Sequence, residues 1–204
     1  MQNRFDTLAK EWDSKPERVE SAMNFVDYIK KDINKDISEF NLLDYGSGSG
    51  LISFGFANDV KSIVGLDYSI GMVDRYNQKA KTLNYNHLNA KQHNINVEEL
   101  ASNQFDLIAT NMTMHHIKDI SNFIKVLKNS LNKGGTLYIS DLSKEDGKFH
   151  SMGNDDVEHL GFDEETLYKE FDIQGFENIK FKILQTIKKE QGDYPIFVIS
   201  GESI

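Results

Sequence analysis

The sequence has no cysteine, two prolines and one tryptophan, and none of its apolar runs approaches the length of a membrane span. Each absence removes a class of protein. Without cysteine there is no disulfide, no thiolate metal site and no cysteine nucleophile, although the redox compartment stays open. With Pro16 and Pro195 alone there is no proline-rich linker. A bilayer-crossing helix needs about 20 apolar residues, so no membrane association is expected. The opening MQNRFDTLAKEWD lacks the contiguous apolar stretch of a signal peptide, and a cytoplasmic location is expected. No internal repeat or low-complexity tract is present. A length of 204 residues suits a single domain, 1–204, with a full core.

Basic charge is also in short supply. The formal net charge is -9. Between Asp141 and Asp172 there are 11 acidic side chains against 3 lysines, so this segment holds nearly all of the excess. Nucleic acid is therefore not an expected partner. The segment reads either as a solvated surface loop or as a rim favouring a cationic or amine-bearing ligand.

What is present is a regular alternation. Ser14-Lys15-Pro16-Glu17 reads as a helix start, with Ser14 as cap and proline in the first turn. Val19, Ala22, Val26, Ile29 and Ile33 follow at helical spacing. Phe5, Leu8 and Trp12 suggest a shorter helix before it. Strand-like runs follow at 42–45, 62–67, 105–110 and 136–142, with a weaker one near 87–95. Between them the clearest helix covers 119–131, with Leu131 on its apolar face and Gly134-Gly135 as its stop. This pattern predicts a doubly wound, mostly parallel α/β sheet. After a helix near 163–174, the runs 177–187 and 194–202 predict an antiparallel C-terminal hairpin.

The stretch LLDYGSGSG places Gly46, Gly48 and Gly50 between the first strand and a helix. Such a turn lets a ligand approach bare backbone and the partial positive charge of a helix start. No lysine follows, against a phosphate-binding P-loop, and the third glycine is one position early for a dinucleotide fingerprint. Asp44 precedes the loop and suits a ligand carrying an ammonium group. Asp67 ends the second strand, where a carboxylate can accept both hydroxyls of a ribose or simply cap the helix beginning near Ser69.

The runs DYGSGSG, GLDYS, FDLIATNMTMHHI and NKGGTLYISDL resemble, in order and interval, the signatures of class I S-adenosylmethionine-dependent methyltransferases. The resemblance covers about residues 1–202. It implies a seven-stranded, Rossmann-like sheet whose last strand is antiparallel. It also implies S-adenosyl-L-methionine as cofactor, with S-adenosyl-L-homocysteine as product. By the same resemblance, Asp44, Gly46, Ser47 and Gly48 would hold the methionine portion, with Gly50 completing the loop. Asp67 would bind the ribose, and Tyr68 and Met72 would line the adenine. Asn94 and Ile95 stand where the family reads the adenine amino group, and Asn111 would lie near the methionine ammonium. Residues 1–38 would form a helical lid, and 141–175 the substrate-loop region.

Methyl transfer needs alignment and exclusion of water more than an elaborate catalytic apparatus. A base is required only where the acceptor must lose a proton. His116, His150 and His159 are the candidates, while His115 reads as a residue that caps or packs the next helix. The run EDGKFH at 145–150 and the later HLGF at 159–162 resemble a stretch of a subset of small bacterial methyltransferases. His150 and His159 lack a tight ligand spacing, and no metal is expected. Trp12 either covers the methyl site or packs in the core, and Asp141 is grouped with it on the substrate side. The expected partner is a small-molecule acceptor, and the expected assembly a monomer or homodimer. The alternatives are a methyltransferase acting on protein or RNA, a non-catalytic S-adenosylmethionine-binding protein, and an NAD-dependent oxidoreductase. No NPPY-like tetrad follows the fourth strand, since that stretch is Asn111-Met112-Thr113-Met114.

Overall fold

A computed structural model describes residues 4–150 and 153–204. Seven strands form one sheet: β1 (Asn41–Tyr45), β2 (Ser62–Asp67), β3 (Leu88–Gln92), β4 (Phe105–Asn111), β5 (Leu131–Leu142), β6 (Phe176–Lys189) and β7 (Gly192–Ser203). Their order is β3-β2-β1-β4-β5-β7-β6. The first five pair in parallel, and β7 enters antiparallel to both β5 and β6. The predicted doubly wound sheet with a closing hairpin is what the chain forms.

Helices cover both faces, and side-chain alternation along the strands supplies two cores. Leu42, Leu107 and Tyr138 face α2 (Pro16–Ile33), α3 (Leu51–Phe56) and α4 (Ile70–Thr82). Leu43, Ile108 and Ile139 face α5 (Ile120–Ser130) and α6 (Glu164–Ile173). Parallel strands buried on both sides read as continuous apolar runs, as 42–43 and 107–109 do. β3 gave the weak signal because it is the sheet edge, with Asn89, Lys91 and Gln92 exposed.

Two local expectations are corrected. Ser14 does not cap α2, because its hydroxyl donates to Glu11 O (2.6 Å) and closes the preceding 3-10 turn, leaving Lys15 at the cap position. The helix over 119–131 ends at Ser130, well before Gly134. Leu131 instead opens β5 and pairs with Phe105, so its apolar side chain serves the sheet. No helix among the described residues is long and apolar enough to cross a membrane.

Before α2, the chain forms a short helix α1 (Arg4–Leu8) and a 3-10 turn (Ala9–Ser14). This segment docks on the start of α4. The Asp6 carboxylate accepts from Ser69 Oγ (2.6 Å) and Gly71 N (3.0 Å). A Cβ at Gly71 would fall 2.7 Å from Asp6 Cα, so only glycine permits this approach. Gly71→Ala should therefore displace α1 while favouring α4, since alanine exceeds glycine in helix preference by about 1 kcal/mol. Limited proteolysis should cut faster within 4–14 with little change in global melting. An unchanged cleavage rate would mean that the segment is held elsewhere.

Candidate functional site

The glycine loop joins β1 to α3 at the C-terminal edge of the sheet. Gly46 has φ +72, and a Cβ there would lie 2.0 Å from Thr113 Oγ1, so the loop touches the turn after β4 directly. Gly46 N and Ser47 N donate to Leu66 O (2.7 and 3.0 Å). Gly48 N donates to Asp67 Oδ2 (2.7 Å), and Ser69 N to Asp67 Oδ1 (2.8 Å). Asp67 thus ties the loop and holds the backbone of Ser69, whose own hydroxyl caps α4 by accepting from Met72 N (3.2 Å). Burial pushes its carboxyl above the ordinary range, against the pull of those two N–H groups. Each carboxylate oxygen keeps a further lone pair for a ligand hydroxyl.

Asp44 lies beneath the loop rather than open on it. Its Oδ2 accepts from Ser53 Oγ (2.6 Å) and Ser53 N (3.1 Å), securing the first turn of α3. Burial pushes its carboxyl up to about 7, with the Ser53 bonds opposing. The folded state therefore holds this proton more tightly than the unfolded chain, whose carboxyl titrates near about 4. The corresponding stability is full below about pH 4 and fades as pH rises through about 7. Asp44→Asn keeps an acceptor and loses the titration. Its melting temperature relative to the parent should improve between about pH 5 and about pH 8. A pH-independent difference would assign the titration to other groups.

The remaining candidates divide by burial. Tyr68 is 59% exposed, whereas Met72 is buried and donates its N–H to Ser69 Oγ. Asn94 forms a local turn in which its Oδ1 accepts from Asn96 N (3.1 Å). Ile95 is buried with Tyr45 and Leu66 in the core. Gly50 opens α3, its Cα facing Phe54 and Tyr76. Two buried polar atoms of the loop and the end of β4 have no hydrogen-bond partner among the described residues: Ser47 Oγ, which faces Gly65, and Asn111 Oδ1. Trp12 lies against the loop, its Nε1 3.9 Å from where a Gly48 Cβ would be, with Arg18 stacked 3.8 Å from the indole centre. Asp13 accepts from Ser49 Oγ and pairs with Lys79 (2.6 Å).

The turn after β4 carries the histidines. Met112 adopts left-handed φ 54, an uncommon conformation for a non-glycine residue, while its N–H donates to Ser140 O (2.8 Å). The chain then doubles back over the end of β5. His115 is fully buried, and its Nδ1 lies 2.7 Å from Asp141 Oδ1. Asp141 also accepts from His115 N (3.1 Å) and Leu142 N (2.7 Å). Burial pushes the Asp141 carboxyl up, but the His115 ring and these donors reverse that and hold it below the ordinary range. His115 therefore does not cap the next helix, whose cap is Asp119, and its ring is committed to Asp141 instead. Adjacent His116 has Nδ1 2.6 Å from Asp156 O.

His150 arrives from the other side. In EDGKFH, the Glu145 carboxylate accepts from Gly147 N, Lys148 N and Phe149 N (2.8–3.2 Å), which explains the spacing of that run as a carboxylate-capped turn. Phe149 anchors the turn against Tyr194, and the next residue, His150, stands 5.0 Å from His115 and 6.1 Å from His116, ring centre to ring centre. Burial, then His115 and His116, push His150 down to about 4. His159 is not part of this group; its Nε2 meets Ile117 O (2.9 Å). Missing from the sequence reading were His115 as a partner of Asp141 and its grouping with His150. The available signal was that both follow the ends of neighbouring parallel strands.

The family profile described as a methyltransferase domain matches residues 37–192. Among curated proteins, the chain is 33% identical over 132 residues to one described as an uncharacterized methyltransferase of Schizosaccharomyces pombe, covering 61% of this chain and 46% of that protein. It is 28% identical over 156 residues to the ubiquinone biosynthesis O-methyltransferase of Pelagibacter ubique, covering 69% of this chain and 63% of that one. The chain thus spans about half to two thirds of the length of these relatives. A solved S-adenosylmethionine-dependent methyltransferase from Aquifex aeolicus shares the fold, with TM-score 0.71, 18% identity and 98% coverage of both chains.

Proposed function

Because the chain belongs to the class I S-adenosylmethionine-dependent methyltransferases, we propose that it transfers a methyl group to a small-molecule acceptor by in-line displacement. Bound at the loop, S-adenosylmethionine supplies an electrophilic sulfonium methyl. The residues present suit it, since Ser47 Oγ and Asn111 Oδ1 are buried acceptors awaiting donors, and Asp67 retains lone pairs for ribose hydroxyls. In this reading Gly46, Ser47, Gly48 and Asn111 flank the methionine end, with Asp44 supporting the loop from below. Tyr68, Met72, Asn94 and Ile95 flank the base. Trp12 excludes water from above, and residues 4–14 act as the lid.

The observation that carries the small-molecule reading is the closure of the acceptor side by the chain itself. Arg4 pairs with Asp156 (2.8 Å), and Phe5 packs edge-on to His116 (5.5 Å between ring centres). The N-terminal segment thus meets Asp156 and His116 beside the histidine cluster, which favours a small acceptor over a macromolecule docked in an open groove. His116 and His150 stand together there, and His159 does not. The acidic segment offers less support for a cationic acceptor. Asp146, Asp156 and Asp163 already pair with Lys148, Arg4 and Lys144, and Asp163 also caps α6.

The test is release of S-adenosylhomocysteine from the purified chain with panels of small amines, phenols, thiols and carboxylic acids. Turnover on one class is expected. Tight cofactor binding without turnover on any panel would instead favour a binding protein, and turnover only on RNA or protein would move the acceptor class. A thermal-shift comparison of S-adenosylmethionine with NAD tests the cofactor separately.

A further inference from the structure

We propose that His115, His116 and His150 form a binding site for one divalent metal ion of the zinc type. The site goes beyond the reading above and does not depend on it. One ring nitrogen from each of the three lies within 4.8 Å of the other two. They come from separate pieces of structure, the turn after β4 and the Glu145-capped turn.

The hydrogen bonds leave the correct nitrogens available. His115 Nδ1 faces the Asp141 carboxylate and His116 Nδ1 faces the Asp156 carbonyl, and both of those partners can only accept. Each Nδ1 therefore carries the proton, and each Nε2 carries a lone pair. A carboxylate or carbonyl behind a ligating imidazole is the arrangement that fixes its tautomer and raises its basicity. His115 Nε2 is buried and has no hydrogen-bond partner among the described residues, and the same holds for His150 Nδ1. Buried nitrogen atoms left without partners need an explanation, and a shared ion satisfies them together.

The donor set also selects the ion. Three imidazoles without thiolate suit zinc, nickel, copper or cobalt, and disfavour magnesium and calcium, which take oxygen ligands. Three protein ligands leave a fourth position open, as in zinc sites that take water or a substrate. Tetrahedral zinc at about 2.0–2.1 Å from each nitrogen requires separations of about 3.4 Å, so the rings must close slightly, which side-chain rotation allows. Around the rings, Asp141 and Asp156 are negative and Arg4, paired with Asp156, is positive, which leaves a balance that favours a cation. Pairing His150 with His159 by sequence does not find this group, because the other two ligands, His115 and His116, come from the turn after β4.

The test uses the full chain stripped with a chelator. Zinc is titrated by calorimetry, and cobalt by its visible spectrum. One equivalent should bind at micromolar affinity or tighter, with the intense bands of four-coordinate cobalt. His116→Ala and His150→Ala should each weaken binding at least 100-fold, and Asp141→Asn by roughly 10–100-fold. His87→Ala, remote from the cluster, should leave it unchanged. Absence of saturable binding, or stoichiometric binding that survives both His116→Ala and His150→Ala, would overturn the site. S-adenosylmethionine affinity, measured on the same samples, confirms that each variant is folded. Cofactor binding without metal binding defeats this site alone, and metal binding without methyl transfer to any acceptor defeats only the functional reading.

Discussion

Asp141→Ala is expected to cost several kcal/mol of folding free energy, at about 1–3 kcal/mol for each buried donor left without its acceptor. The carboxylate is 0% exposed and accepts three hydrogen bonds, from His115 Nδ1, His115 N and Leu142 N. Alanine leaves all three donors in the interior without their acceptor. Asp141→Asn should lose less, because its carbonyl oxygen can still serve the backbone donors. Urea denaturation of the two variants checks this ranking. A loss below about 1 kcal/mol for Asp141→Ala would mean that the turn carrying His115 relaxes freely, contrary to its two anchors on β5.

The second large effect is on cofactor affinity. Asp67→Ala should weaken S-adenosylmethionine binding by about 1–3 kcal/mol, roughly 5- to 150-fold, as expected for hydrogen bonds to a charged group. Two losses combine here. The proposed ribose acceptor disappears, and Gly48 N and Ser69 N are left without the carboxylate that ties the glycine loop to α4. Calorimetric titration gives the first, and the melting temperature without cofactor reports the second. Unchanged affinity would show that the ribose lies elsewhere.

Much of this architecture could be read from residue order. Buried parallel strands leave unbroken apolar runs, which is why β1, β2 and β4 were found nearly to the residue. The place of Asp67 beside the glycine loop was legible because strand order puts the end of β2 there. Less visible were features that depend on contacts distant in sequence. Leu131 continues the helical period of α5, and only its pairing with Phe105 turns it into a strand residue. Ser14 has the right chemistry for a cap and is drawn instead to Glu11 O. His115 meets Asp141 only because β4 and β5 are neighbours, with Asn111 opposite Ser140. EDGKFH was recognised as a run, but its meaning depends on three N–H groups converging on Glu145.

The fastening of the N-terminal segment bears on the kinetics of ligand exchange. Its ionic ties, Asp13 with Lys79 and Arg4 with Asp156, are both partly open to solvent. Charges so placed are weakened by added salt, whose screening length falls from about 10 Å at 0.1 M to about 3 Å at 1 M ionic strength. With residues 4–14 acting as the proposed lid, a ligand reaches the loop only when these ties part, and its apparent affinity is its intrinsic affinity reduced by the fraction of molecules already open. Salt should therefore accelerate both entry and departure of a ligand at the loop, making ionic strength a control on residence time that acts far from the ligand's own contacts.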